Sequence, residues 1–170
     1  GKPYEGLTEL GPQGPRWTGK ITLVPELLDE PLRWKKPRRV FVNSMSDLFH
    51  EDVPDDFLDD IFARMALAPH HAFQVLTKRP KRMLAYMTRQ HGNGTHRRQG
   101  IVKGRAWSVL GHFPKYQHRD VLNRPWPLPN VWLGVSVEDQ QTADERMPHL
   151  LQTPAAVRWI SAEPLLGPVD

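Results

Sequence analysis

The 170-residue sequence contains no cysteine. This absence excludes a disulfide framework, a thiolate metal site and a cysteine nucleophile within these residues. Long apolar runs are absent too, since none approaches the roughly 20 residues of a membrane helix. The sequence also does not open with the positively charged region and following apolar region of a signal peptide. The expectation is therefore a soluble, cytoplasmic protein without a membrane partner.

Prolines and positive charges are abundant instead. The 17 prolines are about twice the usual share, which predicts stiff and numerous loops. A chain of this length suits one domain, residues 1–170, that buries roughly 70% of its unfolded surface. Lys and Arg total 23 against 19 Asp and Glu, a formal net charge of +4. This excess permits a nucleic-acid or phosphate partner without requiring one.

Short apolar runs alternate with helical patterns along the chain. The predicted strands are Arg39–Val42, Ala72–Leu76, Val131–Val137 and Val157–Ser161. The helices predicted between them are Asp55–Ala68, Lys81–Gln90 and Gln140–Gln152, the last broken by Pro148. A strand, a polar turn and a helix that recur in this way are typical of βα units, so we predict an α/β fold with a parallel sheet.

Two segments lack this pattern. Residues 1–39 are rich in Gly, Pro and Trp, and we interpret them as an irregular approach segment with one short helical stretch around Pro25–Leu32. Residues 91–129 lose periodicity and are interpreted as an insertion with a helical piece near Gly104–Leu110.

Polar side chains follow each predicted strand. They are Asn43, Ser44, Ser46 and Asp47; Thr77, Lys78 and Arg79; Ser136, Glu138 and Asp139; and Ser161 and Glu163. In open α/β sheets and in (β/α) barrels alike, the ligand site lies at the carboxyl ends of the parallel strands. These residues therefore predict a small-molecule or nucleotide site on one shared rim.

Four stretches carry a family resemblance. They are LDEPLRWKKPRR (28–39), VFVNSMSDLFHEDVP (40–54), FQVLTKRP (73–80) and NVWLGVSVEDQQTADERMPHLLQTPAAVRWISAEPLLGPVD (130–170). Together they resemble a phage-associated bacterial family of unknown function, found in phages and prophages, over residues 4–170. Members of that family carry a cysteine-rich segment upstream, and a Gly-Gly-Glu strand and a last strand downstream, of the region matched here.

The upstream cysteine segment of the family looks like the cluster-binding loop of radical S-adenosylmethionine enzymes. The resemblance therefore implies a partial (β/α), TIM-like barrel, incomplete at both ends, in an enzyme that uses S-adenosylmethionine and an iron–sulfur cluster. The present sequence departs from the family in having no cysteine. It is either an internal fragment or a cysteine-less relative, and its residues cannot bind a cluster through thiolates.

The first two strand ends each allow two interpretations. Short polar residues such as Asn43, Ser44, Ser46 and Asp47 cap turns and helix N-termini. Alternatively, the first three bind the polar amino-acid end of the cofactor or substrate, and Asp47 is a candidate catalytic group. Thr77, Lys78 and Arg79 form a solvated turn in one interpretation. In the other, they bind an anionic group of the substrate.

The last two strand ends are similarly ambiguous. Ser136 and Glu138 are candidate cofactor-binding residues, since an acid at a strand end commonly bonds a ribose hydroxyl pair, whereas Asp139 suits a helix N-cap. Glu163 is expected to be partly buried, as a catalytic group or a salt-bridge partner. No histidine spacing matches a zinc site, and His50-Glu51-Asp52 is expected to lie past the rim.

The competing hypothesis is a phage-encoded module that binds nucleic acid or protein without catalysis. It depends on aromatic and cationic residues that interleave in the insertion, namely Trp107, Phe113, Tyr116 and Trp126 with Arg105, Lys115, Arg119 and Arg124. Such residues stack on and neutralise single strands, but they also anchor a loop over a core.

Overall fold

An antiparallel hairpin lies near the start of the fold. The computed structural model describes residues 6–12, 14–91, 96–113, 121 and 123–170. Strands β1 (Thr8–Gly11) and β2 (Gly14–Trp17) form the hairpin, and a 3-10 helix (Pro25–Leu27) and helix α1 (Glu30–Arg33) follow. The prediction of an irregular segment over 1–39 misses the hairpin, because its mostly exposed strands show no apolar alternation.

A four-stranded parallel sheet forms the centre of the fold. The remaining strands are β3 (Arg39–Val42), β4 (Ala72–Thr77), β5 (Gln90–His91), β6 (His96–Arg97), β7 (Val131–Ser136) and β8 (Val157–Ser161). The sheet has the order β3-β4-β7-β8 with every pair parallel, while β5 and β6 form a separate antiparallel hairpin. The predicted α/β class with parallel strands is confirmed.

Four longer helices accompany these strands. They are α2 (Asp55–Leu67), α3 (Pro80–Thr88), α4 (Arg98–Leu110) and α5 (Gln140–Gln152). The prediction that Pro148 breaks α5 is wrong. Proline removes one backbone donor, but Thr153 N–H still donates to the carbonyls of His149 and Leu150, so the last turn stays bonded. None of the helices within the described ranges is long and apolar enough to cross a membrane.

Helix α4 is longer than the predicted helical piece at Gly104–Leu110. It begins at Arg98, whose guanidinium group is buried against α2. Two glycines in its first half weaken the helical signal in the sequence. Burial of Val102, Ala106 and Val109 on the side that contacts α2 supplies stability that local propensity lacks.

One face of the sheet carries the apolar core. Val42, Val75 and Leu133 lie side by side in the register of β3, β4 and β7, and the helices pack on this row. Leu58 and Phe62 of α2 belong to the same cluster and are almost fully buried. The helix-covered face therefore supplies most of the hydrophobic stabilisation of the domain.

The opposite face of the sheet is partly open. It presents Phe41, Gln74 and Trp132 in one row, and Phe41 is 44% exposed. The rings of Phe41 and Trp159, on the two edge strands, meet edge to face with centroids 6.0 Å apart. The sheet itself is not closed among the described residues, so it does not by itself show the predicted barrel.

Candidate functional site

Residues predicted from three strand ends come together around one cleft of about 320 Å³. The cleft at the carboxyl ends of β3, β4 and β7, called the strand-end cleft below, is lined by Asn43, Ser44, Ser46, Asp47, Thr77, Lys78, Arg79 and Ser136, with Phe41, Met45 and Leu76. Eight of the ten residues predicted to bind or react with a ligand therefore share one cavity. Parallel strands produce this convergence because their carboxyl ends meet at one edge of the sheet.

The wall of the strand-end cleft begins with a tight turn after β3. Asn43 has a φ of 57°, in the left-handed region that asparagine tolerates better than most residues. Its carbonyl oxygen accepts a hydrogen bond of 3.1 Å from the backbone N–H of Ser46. All five residues from 43 to 47 line the cleft.

Asp47 joins the ends of β3 and β4. Its Oδ1 atom accepts hydrogen bonds from the Phe49 N–H (2.9 Å) and the Thr77 hydroxyl (2.7 Å). Its Oδ2 atom accepts from the Lys78 N–H (3.0 Å) and from Arg79 Nη1 (3.1 Å). Four donors engage both carboxylate oxygens, which is the arrangement of a residue that holds a loop in place. The prediction that Asp47 is a catalytic group is untested by this geometry.

Arg79 connects this turn to the segment that precedes α2. Its Nε atom donates to Glu51 Oε2 at 2.8 Å, and its backbone N–H donates to the Thr77 hydroxyl at 2.9 Å. Burial acts to lower the pKa of Arg79, but the bonds to Glu51 and Asp47 outweigh it and raise the pKa. A hydrogen bond from its own backbone and the contact with Arg79 lower the pKa of Glu51. Glu51, expected past the rim, thus contacts a cleft residue.

Glu138 contacts Lys78 but does not itself line the strand-end cleft. Lys78 Nζ contacts Glu138 Oε1 at 2.6 Å, and Arg146 Nη1 donates to Glu138 Oε2 at 2.9 Å and to the Ser136 carbonyl at 2.8 Å. Burial acts to raise the pKa of Glu138, but the bond from Lys78 and the charge of Arg146 outweigh it and lower the pKa. Arg146, on α5, was not predicted, because no local pattern in the sequence links it to the third strand end.

Asp139 is the N-cap of α5, as the sequence predicts. Its side chain accepts a hydrogen bond of 2.8 Å from the Thr142 N–H, and the Thr142 hydroxyl accepts one of 3.0 Å from the Asp139 N–H. This reciprocal pair satisfies backbone donors at the start of the helix. Hydrogen bonding from Thr142 also lowers the pKa of Asp139.

Glu163 is not among the residues that line the strand-end cleft. It is exposed, so the expectation of partial burial is wrong. Glu163 follows β8, an edge strand of the sheet, and the apolar neighbours Leu165 and Leu166 are themselves 58% and 73% exposed. The expected apolar cover is therefore missing in the described structure, and the catalytic role of Glu163 stays a prediction.

Several residues of the insertion pack on the domain. Trp126 and Phe113 contact the core, and the ring centroid of Trp126 lies 6.0 Å from that of Phe62. Arg105 pairs with Asp56 (2.9 Å) and Asp60 (3.3 Å). These contacts favour the interpretation that the insertion is anchored to the core. Lys115, Tyr116 and Arg119 lie outside the described residues.

Metal coordination has no candidate group in the described part of the chain. No cluster of three or more His, Cys, Asp or Glu side chains is placed there to hold an ion. The buried His71 instead makes structural hydrogen bonds, since its Nδ1 atom accepts from the Arg38 N–H at 3.1 Å and its Nε2 atom lies 3.0 Å from the Pro31 carbonyl.

Comparison with known proteins identifies one family. A family model described as "Protein of unknown function (DUF5131)" matches residues 5–170. No curated protein matches the chain, and no solved structure matches it.

Proposed function

We propose that this chain, which belongs to the DUF5131 family of proteins of unknown function, binds cofactor and substrate in the strand-end cleft as part of an enzyme of the radical S-adenosylmethionine type. The observation that carries this proposal is the convergence of eight predicted site residues on one cleft. Ligand sites of α/β enzymes occupy this position, and the volume lies at the lower end of the roughly 300–1,000 Å³ typical of small-molecule sites. The resemblance described above supplies the reaction type and a phage or prophage setting.

The open sheet is consistent with a segment of a (β/α) barrel. The helices pack on the face that holds Val42, Val75 and Leu133, as the outer helices of a barrel do. Phe41 and Trp159 approach each other across the other face, which corresponds to a barrel interior in this proposal. This contact between side chains of the two edge strands supports a barrel-like arrangement.

The strand-end cleft offers donors for an anionic group. The side chain of Lys78 is 57% exposed although its ammonium group contacts Glu138, and an ammonium has three protons to donate. Asn43, Ser44 and Ser46 line the same cleft and add amide and hydroxyl groups. We assign the carboxylate of S-adenosylmethionine, or a phosphate or carboxylate of the substrate, to Lys78, and we give Asp47 and Arg79 the role of positioning the turn.

The two implied cofactors fit this chain differently. An iron–sulfur cluster is held by cysteine thiolates, and the sequence has no cysteine, so no residue here is assigned to a cluster. S-adenosylmethionine fits the chemistry of the cleft, because its amino-acid end pairs with carboxylate-binding and hydroxyl groups. When bound, it would supply the chemistry of its sulfonium group, while Asn43, Ser44, Ser46 and Lys78 would orient it.

Calorimetric titration of S-adenosylmethionine into the 170-residue chain tests the proposal. We expect saturable binding that Lys78→Met weakens by at least about tenfold, since a hydrogen bond to a charged group contributes about 1.5–3 kcal/mol. Lys81→Met is the matched control, because Lys81 is an exposed lysine of α3 outside the cleft lining. Equal affinity of the Lys78 variant and the unmodified chain, or no binding by either, would overturn the assignment.

The nucleic-acid-binding alternative receives less support from the described residues. Arg98 is 1% exposed and ion-paired with Asp59, and Arg105 is paired with two acids of α2. Cations that are neutralised within the fold contribute little to a phosphate-binding surface. The enzyme hypothesis therefore remains the proposal that the geometry favours.

A further inference from the structure

A run of exposed cations lies between α1 and β3. It consists of Arg33, Lys35, Lys36, Arg38 and Arg39. Residues 31–46 around it contain no Asp or Glu. None of the five cations forms an ion pair with a residue in the described ranges, whereas Arg64, Arg79 and Arg146 all do. The positive charge of residues 33–39, called the basic segment below, therefore faces solvent without a neutralising partner there.

The backbone of the basic segment is held in place by the loop that precedes β4. The Arg38 N–H donates to His71 Nδ1 at 3.1 Å, and His70 Nε2 lies 3.3 Å from the carbonyl oxygen of Trp34. The Arg38 carbonyl in turn accepts a hydrogen bond of 2.9 Å from the Ala72 N–H. A backbone that is ordered before a partner arrives loses less entropy when the partner binds.

Two arginines of the basic segment lie on tryptophan rings. The Cζ atom of Arg38 is 4.6 Å from the ring centroid of Trp34, and that of Arg39 is 5.5 Å from the ring centroid of Trp132. Attraction between a guanidinium group and the face of an aromatic ring favours this arrangement. Both arginines are exposed, so each presents to solvent a planar cation that the ring beneath it already orients.

We infer that the basic segment binds single-stranded nucleic acid, with its lysines on phosphates and its arginines stacked on bases. Cations interleaved with planar groups suit such a strand, because phosphates require charge and unpaired bases stack on flat surfaces. Arg39 is the first residue of β3, whereas the strand-end cleft lies at the carboxyl end of that strand. The surface is therefore separate from the cleft, and the inference goes beyond the proposed function without depending on it.

Two other polyanions suit the basic segment less well. Membrane surfaces are bound by cations beside exposed apolar side chains that enter the lipid, but Trp34 packs edge to face on the buried His71. An acidic peptide would neutralise the lysines, but it has no bases to place on the arginines. The insertion is not needed for this contact, and its cations Arg98 and Arg105 are paired with acids.

Fluorescence anisotropy with a labelled oligothymidylate of about 15 nucleotides tests the inference. Each cation on a phosphate adds about −0.7 to the slope of log K against log salt for a single strand, so Lys35→Gln/Lys36→Gln should make that slope shallower by about 1.4. The matched control Lys20→Gln/Lys81→Gln removes the same charge from two exposed lysines outside the segment and should keep the slope. Absence of binding by the unmodified chain, or the same change of slope in both double variants, would overturn the inference.

Arg39→Lys separates stacking from charge, because it keeps the cation and removes the planar group. We expect an unchanged salt slope and an affinity for oligothymidylate that falls by at least about fivefold, in line with the loss of one stacked base. Affinity for polyphosphate, which has no bases, should not change. Equal affinity of Arg39→Lys and the unmodified chain for oligothymidylate would overturn the inference. Tighter binding of poly-glutamate, of phosphatidylglycerol vesicles or of a duplex of the same length would overturn it too, by assigning the surface to another partner.

Discussion

Replacing Arg98 by Met tests how the insertion is attached to the domain. Arg98 is 1% exposed, and its Nη1 atom donates to both carboxylate oxygens of Asp59, at 2.8 and 3.0 Å. Further bonds reach Asp55 Oδ2 (3.1 Å) and the carbonyl oxygen of Tyr86 (3.2 Å). Asp59 is equally buried, so Arg98→Met would leave its carboxylate with the Tyr86 hydroxyl (2.9 Å) as its remaining partner among these residues.

The expected loss is large because the charge left behind is buried. Removing one partner of a buried ion pair costs about 3–5 kcal/mol, out of a total stability of about 5–15 kcal/mol for a domain. For a chain of this size 1 kcal/mol shifts Tm by roughly 2–4 °C, so Arg98→Met should lower Tm by roughly 6–20 °C. Arg16→Met is the matched control, since Arg16 contacts Glu9 at 2.7 Å with both side chains exposed. We expect it to cost less than about 1 kcal/mol.

Urea and thermal unfolding followed by circular dichroism measure these differences. The double variant Asp59→Asn/Arg98→Met removes the buried charge and should recover at least half of the loss. The reasoning would be refuted by a loss below about 1 kcal/mol in Arg98→Met, or by a double variant no more stable than the single one.

The same variant has a defined pH dependence. Burial raises the pKa of Asp59 even beside Tyr86 and Arg98, and loss of the Arg98 charge raises it further. A raised folded-state pKa means that the folded chain binds this proton more tightly than the unfolded chain does. The loss of stability in Arg98→Met is therefore largest above the pKa that Asp59 has in the folded variant. It shrinks as the pH falls through that pKa, because the buried carboxylate then becomes protonated and neutral. A cost independent of pH would contradict this assignment.

Three further substitutions test other contacts. Asn130→Ala removes the amide that donates to the carbonyls of Met65, Ala68 and His71, and should cost about 1–3 kcal/mol in urea unfolding, whereas the exposed Asn123→Ala should cost little. Gly134→Ala should cost about 1–3 kcal/mol and change the near-ultraviolet circular dichroism of Trp159, because the new methyl group overlaps the indole; an unchanged spectrum would contradict that overlap. Folding lowers the pKa of Glu138. Glu138 therefore stabilises the fold fully above its unfolded-state pKa, and this stabilisation is lost as the pH falls through its folded-state pKa. Glu138→Gln should flatten the acid limb of a stability–pH profile, and a profile of unchanged steepness would argue against the ion pairs.

The elements with strong local signals are predictable from the sequence. Asp55–Leu67 combines an apolar stripe with acids in its first turn and forms a helix close to the predicted bounds. The hairpin Thr8–Trp17 and the first half of α4 are not predictable in this way, because their stability comes from pairing and packing rather than from propensity. The same limit applies to Pro148, where the neighbouring turns retain enough hydrogen bonds to continue the helix.

Much of the candidate site is also predictable, since polar residues after parallel strands necessarily meet at one edge. Asn43, Thr77 and Ser136 line one cleft for this reason. The residues that hold the strand ends in place are not predictable in this way. Arg146 bonds to Glu138 and Glu51 bonds to Arg79, but no spacing in the sequence links Arg146 or Glu51 to the strand ends.

The sequence by itself determined the parallel α/β class, the rim on which polar residues gather and the absence of thiolate ligands. Tertiary structure alone decided which of these residues face a cleft and which hold it together. Asp47 is enclosed by four donors, Glu138 is paired with Lys78 and Arg146, and Glu163 is exposed beyond an edge strand. The physical reason is that burial and charge pairing depend on residues distant in the chain, whereas strand periodicity depends on neighbours.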